Sequence, residues 1–170
     1  MSRLRIRAAR PDEAELIRKI EDSAAARFRG SAHAYVTDHP APPAEIYAAL
    51  AAEGLVLMAD ENGDAVGFAA CELYPDALHL KELAVLHNKQ GQGIGRALID
   101  AVGKEARRRG RTAVTLTTFR DLAWNAPWYA RQGFVELGAG TLGERLRQEL
   151  AEEDARGLVS RCAMRLSLTP

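Results

Sequence analysis

The segment Leu80-Lys81-Glu82-Leu83-Ala84-Val85, a seven-residue loop over 86–92 and then Gly93-Ile94-Gly95-Arg96 constrain this chain more than any other stretch. Together they predict a strand over 78–85 that passes through a glycine-rich turn directly into a helix over 94–109. Ile94, Leu98, Ala101, Val102 and Ala106 recur in that helix with helical period, and Gly110 stops it. The first amides of a helix have no partner within it, and the helix dipole places partial positive charge there. Gly91, Gly93 and Gly95 remove side chains that would block a close approach, so the turn is suited to holding a pyrophosphate. A bare strand-to-helix turn needs glycine as well, so this reading rests on what surrounds it.

The flanking sequence alternates strand and helix. Leu4, Ile6 and Ala8 interleave with Arg3, Arg5 and Arg7, which predicts a first strand with one wet face. Pro11-Asp12-Glu13 opens a helix whose apolar stripe is Leu16, Ile17 and Ile20, with early acids suited to the helix dipole. A loop over 30–43, rich in Gly, Ser, His and Pro, leads to a short helix over 44–52 ended by Gly54. Strands over 55–59 and 65–73 flank Glu61-Asn62-Gly63-Asp64, a hairpin turn whose Asn-Gly pair tolerates positive φ. Beyond the long helix come a strand over 113–118, a helix over 127–132 and extended chain over 134–137. Leu142, Leu146 and Leu150 mark an amphipathic helix over 142–155 that closes near Gly157, and 163–168 is a last strand. The order is mixed α/β, without repeats or linkers, and a chain of 170 residues reads as one domain, 1–170.

Composition narrows the function classes. The chain carries 23 basic and 23 acidic side chains and a formal charge of zero, so no broad positive field favours nucleic acid. No stretch approaches membrane-spanning length, and residues 1–10 lack the apolar run of a secretory signal. Cys71 and Cys162 occur in no metal-ligand or CxxC spacing and read as reduced core residues, so the expected compartment is the cytoplasm. His33, His39, His79 and His87 share no zinc-site spacing, and no metal is expected.

The glycine spacing discriminates further. A Walker A loop requires Lys and then Ser or Thr after its last glycine, whereas Arg96 and Ala97 follow here. A dinucleotide fingerprint reads GxGxxG near the first strand, whereas this chain has GxGxG after several strands. At Gln90, Gly93 and Gly95 the sequence resembles the GNAT superfamily of N-acetyltransferases, whose pyrophosphate motif is Arg or Gln, two residues, Gly, one residue, and Gly or Ala. Asn125-Ala126-Pro127-Trp128-Tyr129-Ala130-Arg131-Gln132-Gly133-Phe134 supplies a second resemblance, since Tyr129, Gly133 and Phe134 fit the family's Tyr, three residues, Gly, Phe. It departs from the family at Leu122, where a coenzyme-binding Asn often stands seven residues before that Tyr.

The resemblance implies a mixed α+β fold with a central, twisted, mostly antiparallel sheet of six or seven strands flanked by helices. It also implies acetyl-CoA as cosubstrate. Backbone amides of Gly91, Gln92, Gly93, Ile94, Gly95 and Arg96 would hold its pyrophosphate beside Gln90. Leu83, Ala84 and Val85 would pair with its pantetheine arm, and Asn125 is nominated as a further contact, a capping or turn role being its alternative.

Amide formation from a thioester requires a neutral amine, a stabilised oxyanion and a proton for the departing sulfur. Glu82, on the strand face it shares with Leu80 and Ala84, is the candidate base, and the resemblance implies that it acts through water; its alternative is a surface acid paired with Lys81 or another base. Tyr129 is the candidate acid, because a phenol of pKa about 10 can donate to a thiolate whose conjugate acid lies near 8.5; its alternative is a core aromatic. The amide of Val85 or its neighbour is the candidate oxyanion donor. No Ser or Cys sits in a nucleophile-elbow pattern, so transfer is expected to be direct. The acceptor is a small-molecule or protein amine. Its pocket walls are expected from the loop over 30–43 and the charged helix after Phe134, both of which equally fit a homodimer interface. The competing reading is a noncatalytic acyl-CoA-binding module.

Overall fold

The structure is a computed structural model that describes residues 3–169. Along the chain run β1 (Leu4–Ala8), α1 (Ala14–Ala25), α2 (Ala44–Ala52), β2 (Val56–Glu61), β3 (Asp64–Leu73), β4 (Ala77–Val85), α3 (Ile94–Arg108), β5 (Ala113–Phe119), α4 (Ala126–Arg131), β6 (Val135–Glu136), α5 (Glu144–Ala155) and β7 (Arg161–Ser167). The strands form a mixed seven-stranded sheet in the order β1-β2-β3-β4-β5-β7-β6. The β4–β5 pair is parallel, and β1–β2, β2–β3, β5–β7 and β6–β7 are antiparallel. The mostly antiparallel α+β architecture is the one the family resemblance implies. Contacts divide the chain into two compact units, Met1–Glu72 with Lys81–Lys104, and Leu73–Leu80 with Glu105–Pro170.

In the first unit, Ile17 and Ile20 of α1 and Tyr47 and Ala51 of α2 pack on Val56 and Met58 of β2, Phe68 and Ala70 of β3, and Ala84 of β4. Burying each isoleucine contributes about 1.5–3 kcal/mol. Leu16 was expected in the α1 stripe but is 39% exposed; the buried side runs Ala14, Ile17, Ile20, with Ala24 partly buried beside it. The wet face expected of β1 also differs, because Leu4 is exposed whereas Arg7 is drawn in by two carboxylates, Glu13 at 2.8 Å and Asp60 at 2.6 Å. The loop over 30–43 holds a 3-10 turn, Ala34–Asp38, that its composition did not announce.

Asn62 (φ 55°) and Gly63 (φ 98°) close the β2–β3 hairpin with both central residues left-handed, as the Asn-Gly pair predicts. Beyond the turn the register slips: Ala59 faces Gly67 but Asp60 faces Ala65. Val66 is therefore an extra residue in β3, a bulge that bends the strand locally.

In the second unit, β4 pairs with β5 from Ala77↔Ala113 to Leu80↔Leu116, and β5 pairs with β7 from Ala113↔Ser167 to Phe119↔Arg161. Leu146 of α5, with Leu142 and Leu150 beside it, packs on Tyr74, Ala77, Ala113 and Ala163. The helix starts at Glu144 rather than at 142. An ionic clasp fixes its last turn: Glu153, 3% exposed, accepts from Arg161 at 2.9 and 3.0 Å and from the Thr117 hydroxyl at 2.6 Å.

Four helices, α2 to α5, stop in the same way. A glycine at positive φ follows each (Gly54, Gly110, Gly133, Gly157), and the next amide reaches back five residues: Leu55 to Leu50, Arg111 to Ala106, Phe134 to Tyr129, Leu158 to Glu153, at 2.8–3.1 Å. This is the Schellman closure of orphan helix carbonyls.

Cys71 and Cys162 are both buried and free. Burial pushes the Cys162 thiol up to about 11, which keeps it protonated near neutrality. Among the described residues no helix is long and apolar enough to cross a membrane.

Candidate active site

The loop between β4 and α3 is tied down by four groups of the first unit. Ser23 Oγ of α1 accepts the His87 amide at 3.1 Å, and Glu61 of β2 pairs with Lys89 Nζ at 2.5 Å. The Leu86 amide donates to the Val66 carbonyl at 2.9 Å, and Gln90 Nε2 donates to the Val85 carbonyl at 3.1 Å. Gly91 (φ 77°) and Gly93 (φ 84°) then turn the chain into α3. Apart from the adjoining residues, no atom of the described residues lies within 4 Å of the position a Cβ would take at either glycine. The demand for glycine is therefore one of backbone conformation, worth about 1–2 kcal/mol against an L side chain, and the surface outside the turn is open.

The Ala97 amide donates to the Gly93 carbonyl at 3.1 Å, so the amides of Ile94, Gly95 and Arg96 precede the helical ladder. Arg96 is exposed in the same turn. Unladdered amides, the positive end of a 15-residue helix and a cation beside open left-handed glycines fit a linked pair of phosphates. Gln90, nominated for that group, has its side chain on Val85. Leu83, Ala84 and Val85 end β4 beyond its β5 register, which stops at Leu80↔Leu116. Ala84 is buried in the first unit's core, and Leu83 and Val85 are half-buried. The Leu86 amide, the neighbour of the Val85 amide nominated for the oxyanion, is bonded to the Val66 carbonyl.

Glu82 is half-buried two residues before Ala84, and its charge reaches Tyr47 of α2. Burial raises the Tyr47 phenol, and Glu82 and Glu21 raise it further. Tyr47 OH donates to Glu21 Oε2 at 2.5 Å, and burial also raises the Glu21 carboxyl, with that hydrogen bond and, more weakly, Arg18 opposing. Sequence reading missed Glu21 and Tyr47. A signal existed for the first, because Glu21 continues the Ile17–Ile20 side of α1 where an apolar residue is the norm. Lys81 pairs with Glu72 at 3.4 Å.

The second unit holds Asn125 and Tyr129. Asn125 precedes α4 but does not cap it with its side chain; its Oδ1 accepts from Thr118 Oγ1 of β5 at 2.7 Å, and its carbonyl accepts the Tyr129 amide at 2.9 Å. Tyr129 is half-buried, edge-on to Trp128 and Phe134 with ring centroids 5.0 and 5.6 Å away. Phe134 follows the Gly133 closure, so the Tyr129, Gly133, Phe134 spacing is that of the third-last helical residue and the two residues after a Schellman stop. A cavity of about 790 Å³ in this unit is lined among others by Tyr74, Thr115, Leu137, Leu146, Arg145 and Arg165. None of the nominated coenzyme or catalytic residues lines it. His33, on the loop expected to wall an acceptor pocket, is 2% exposed with Nδ1 3.3 Å from Tyr35 OH. Among the described residues no group of three His, Cys, Asp or Glu is placed to hold a metal ion.

The sequence profile described as "Acetyltransferase (GNAT) domain" matches residues 52–136, half of the chain and the whole run from β2 through β6. Solved structures share the fold over nearly full length. PaiA N-acetyltransferase from Thermoplasma acidophilum in complex with coenzyme A aligns with a TM-score of 0.72 at 14% identity, covering 97% of this chain and 99% of that one. Rv2747 from Mycobacterium tuberculosis in complex with CoA gives 0.71 at 19%, over 97% and 99%. The ribosomal-protein-S18-alanine N-acetyltransferase of Escherichia coli gives 0.69 at 20%, over 99% and 96%. The chain belongs to the GNAT acetyltransferase family. It is an acetyl-CoA-dependent N-acetyltransferase.

Proposed function

We propose that this protein moves the acetyl group of acetyl-CoA directly to a primary amine, the whole chain acting as one acetyltransferase domain. The observation that carries the reading is the pinned loop with left-handed Gly91 and Gly93 in front of the unladdered α3 amides. Amides of residues 91–96 hold the coenzyme's pyrophosphate, and the backbone of Leu83, Ala84 and Val85 aligns its pantetheine arm. Asn125 is proposed as a further contact through whichever donor its bond to Thr118 leaves.

A primary amine of pKa near 10.4 is free base in only about one molecule in 2,500 at pH 7, so taking its proton is worth several kcal/mol. Glu82 takes that proton through water as the nitrogen bonds to the acetyl carbon and the carbon–sulfur bond breaks. The Val85 amide bears the oxyanion charge, and Tyr129 gives the sulfur its proton. Glu21 and Glu82, both in the first unit, favour an acceptor that arrives as a cation, whether a small molecule or a protein amine.

Thiol release from acetyl-CoA across a broad amine panel tests the reading in wild type, Tyr129→Phe and Glu82→Gln. Each substitution is expected to lower kcat by about 100-fold or more. Equal rates in all three proteins would remove both side chains from the mechanism. Tight coenzyme binding without thiol release under any amine would make the chain an acyl-CoA-binding module.

A further inference from the structure

Gly67 lies buried in mid-strand between Val66 and Phe68, where a glycine weakens a strand and neither neighbour is one. Its φ lies outside the left-handed region, so backbone conformation does not call for it. Space does. A Cβ at this position would stand 2.9 Å from the Ala84 carbonyl oxygen, 3.2 Å from Val85 Cγ2 and 3.4 Å from Ile94 Cγ2. The first of these is backbone, which cannot swing aside as a side-chain tip can. One missing methyl group therefore lets β3 abut both the end of β4 and the first residue of α3.

Val66, the extra residue of the bulge, stands directly before Gly67, and its carbonyl holds the Leu86 amide at 2.9 Å. The bulge and the glycine grip the same stretch of chain from adjacent positions, one by a hydrogen bond and one by contact. We propose that Gly67 is a positioning residue for the coenzyme: it sets the distance between the β4 backbone at 84–85 and the start of α3 at Ile94. This rests on reading that backbone and that helix start as the coenzyme site. A side chain at 67 has to displace the Ala84 carbonyl by some tenths of an ångström, and the stretch meant to pair with the pantetheine arm moves with it.

The test is calorimetric titration of the full chain with CoA, together with acetyl-CoA kinetics and thermal melting. It compares wild type, Gly67→Ala and the core control Ile20→Val, which trims one methyl group from the buried side of α1. Gly67→Ala is expected to raise the Kd for CoA and the KM for acetyl-CoA at least tenfold with kcat within about threefold, whereas Ile20→Val lowers Tm and leaves Kd unchanged. If Gly67→Ala does not fold, the less crowded double variant Gly67→Ala/Val85→Ala is compared with Val85→Ala alone, and at least a threefold weaker affinity is expected. A Gly67→Ala protein with lowered Tm and wild-type Kd would overturn the inference and leave Gly67 a residue of the fold only. Wild type that ignores CoA at millimolar concentration would overturn the coenzyme reading beneath it, a separate and distinguishable failure.

Discussion

Glu13 accepts two hydrogen bonds from the Arg7 guanidinium, at 2.9 and 2.8 Å, and a third from the Arg10 amide at 2.8 Å. With only 7% of it exposed, these donors hold its carboxyl down at about 2 against an ordinary 4.5, the Arg7 bond being the largest cause. A folded-state pKa below the unfolded one means that the carboxylate stabilises the fold. Its contribution is complete above about pH 4.5 and disappears as the pH falls towards 2. Glu13→Gln is expected to cost about 2–3 kcal/mol at pH 7 and to flatten the stability profile between pH 4.5 and 2. Denaturant unfolding across that range checks it, and parallel slopes in the two proteins would refute the clamp. The sequence announced an acid at the start of a helix, and dipole complementarity was the natural reading. The partner was not legible, because Arg7 sits on a strand whose alternating pattern put every arginine in water. The same limit hid the Thr117–Glu153–Arg161 clasp, whose members stand 36 and 8 residues apart.

At the scale of the element, stops were easier to read than starts. Gly54, Gly110 and Gly157 each marked a helix end in the sequence, because few other residues accept the left-handed turn that frees the last carbonyls. Gly133 does the same for α4, and there structure and chemistry share one motif: the closure that pairs Phe134 with Tyr129 also fixes where the Tyr129 ring stands. Gly133→Ala places a methyl group at φ 97°, with Leu166 Cδ1 3.3 Å away and able to yield. A cost of about 1–2 kcal/mol follows, or a fall in Tm of about 3–6 °C for a chain of this size. A melt within 1 °C of wild type would show that the closure contributes little. The Val66 bulge had no signature, since an extra residue exists only relative to the strand beside it. Capless starts such as that of α5, which carries no side-chain cap bond, left the predicted boundary two residues early.

For the whole molecule, the alternation of strands and helices and two short motifs were enough to imply the family, the sheet type and the coenzyme. What they left out is the sheet's order beyond β5, where β7 pairs before β6, and the partition of the chain into two units. Both depend on contacts between residues far apart in sequence, which no local period records. The partition falls inside β4: Leu80 ends its parallel register with β5 and belongs to one unit, while Lys81 begins the stretch that belongs to the other. A single strand thus answers to two neighbourhoods, and its amides need not open together. Native-state deuterium uptake resolved along β4 is expected to break between Leu80 and Lys81. Residues 78–80 should keep pace with β5 and β7, and residues 82–85 with α1 and β2. Uniform uptake down the strand would mean that β4 unzips as one piece, and that the seam drawn by its contacts has no counterpart in its fluctuations.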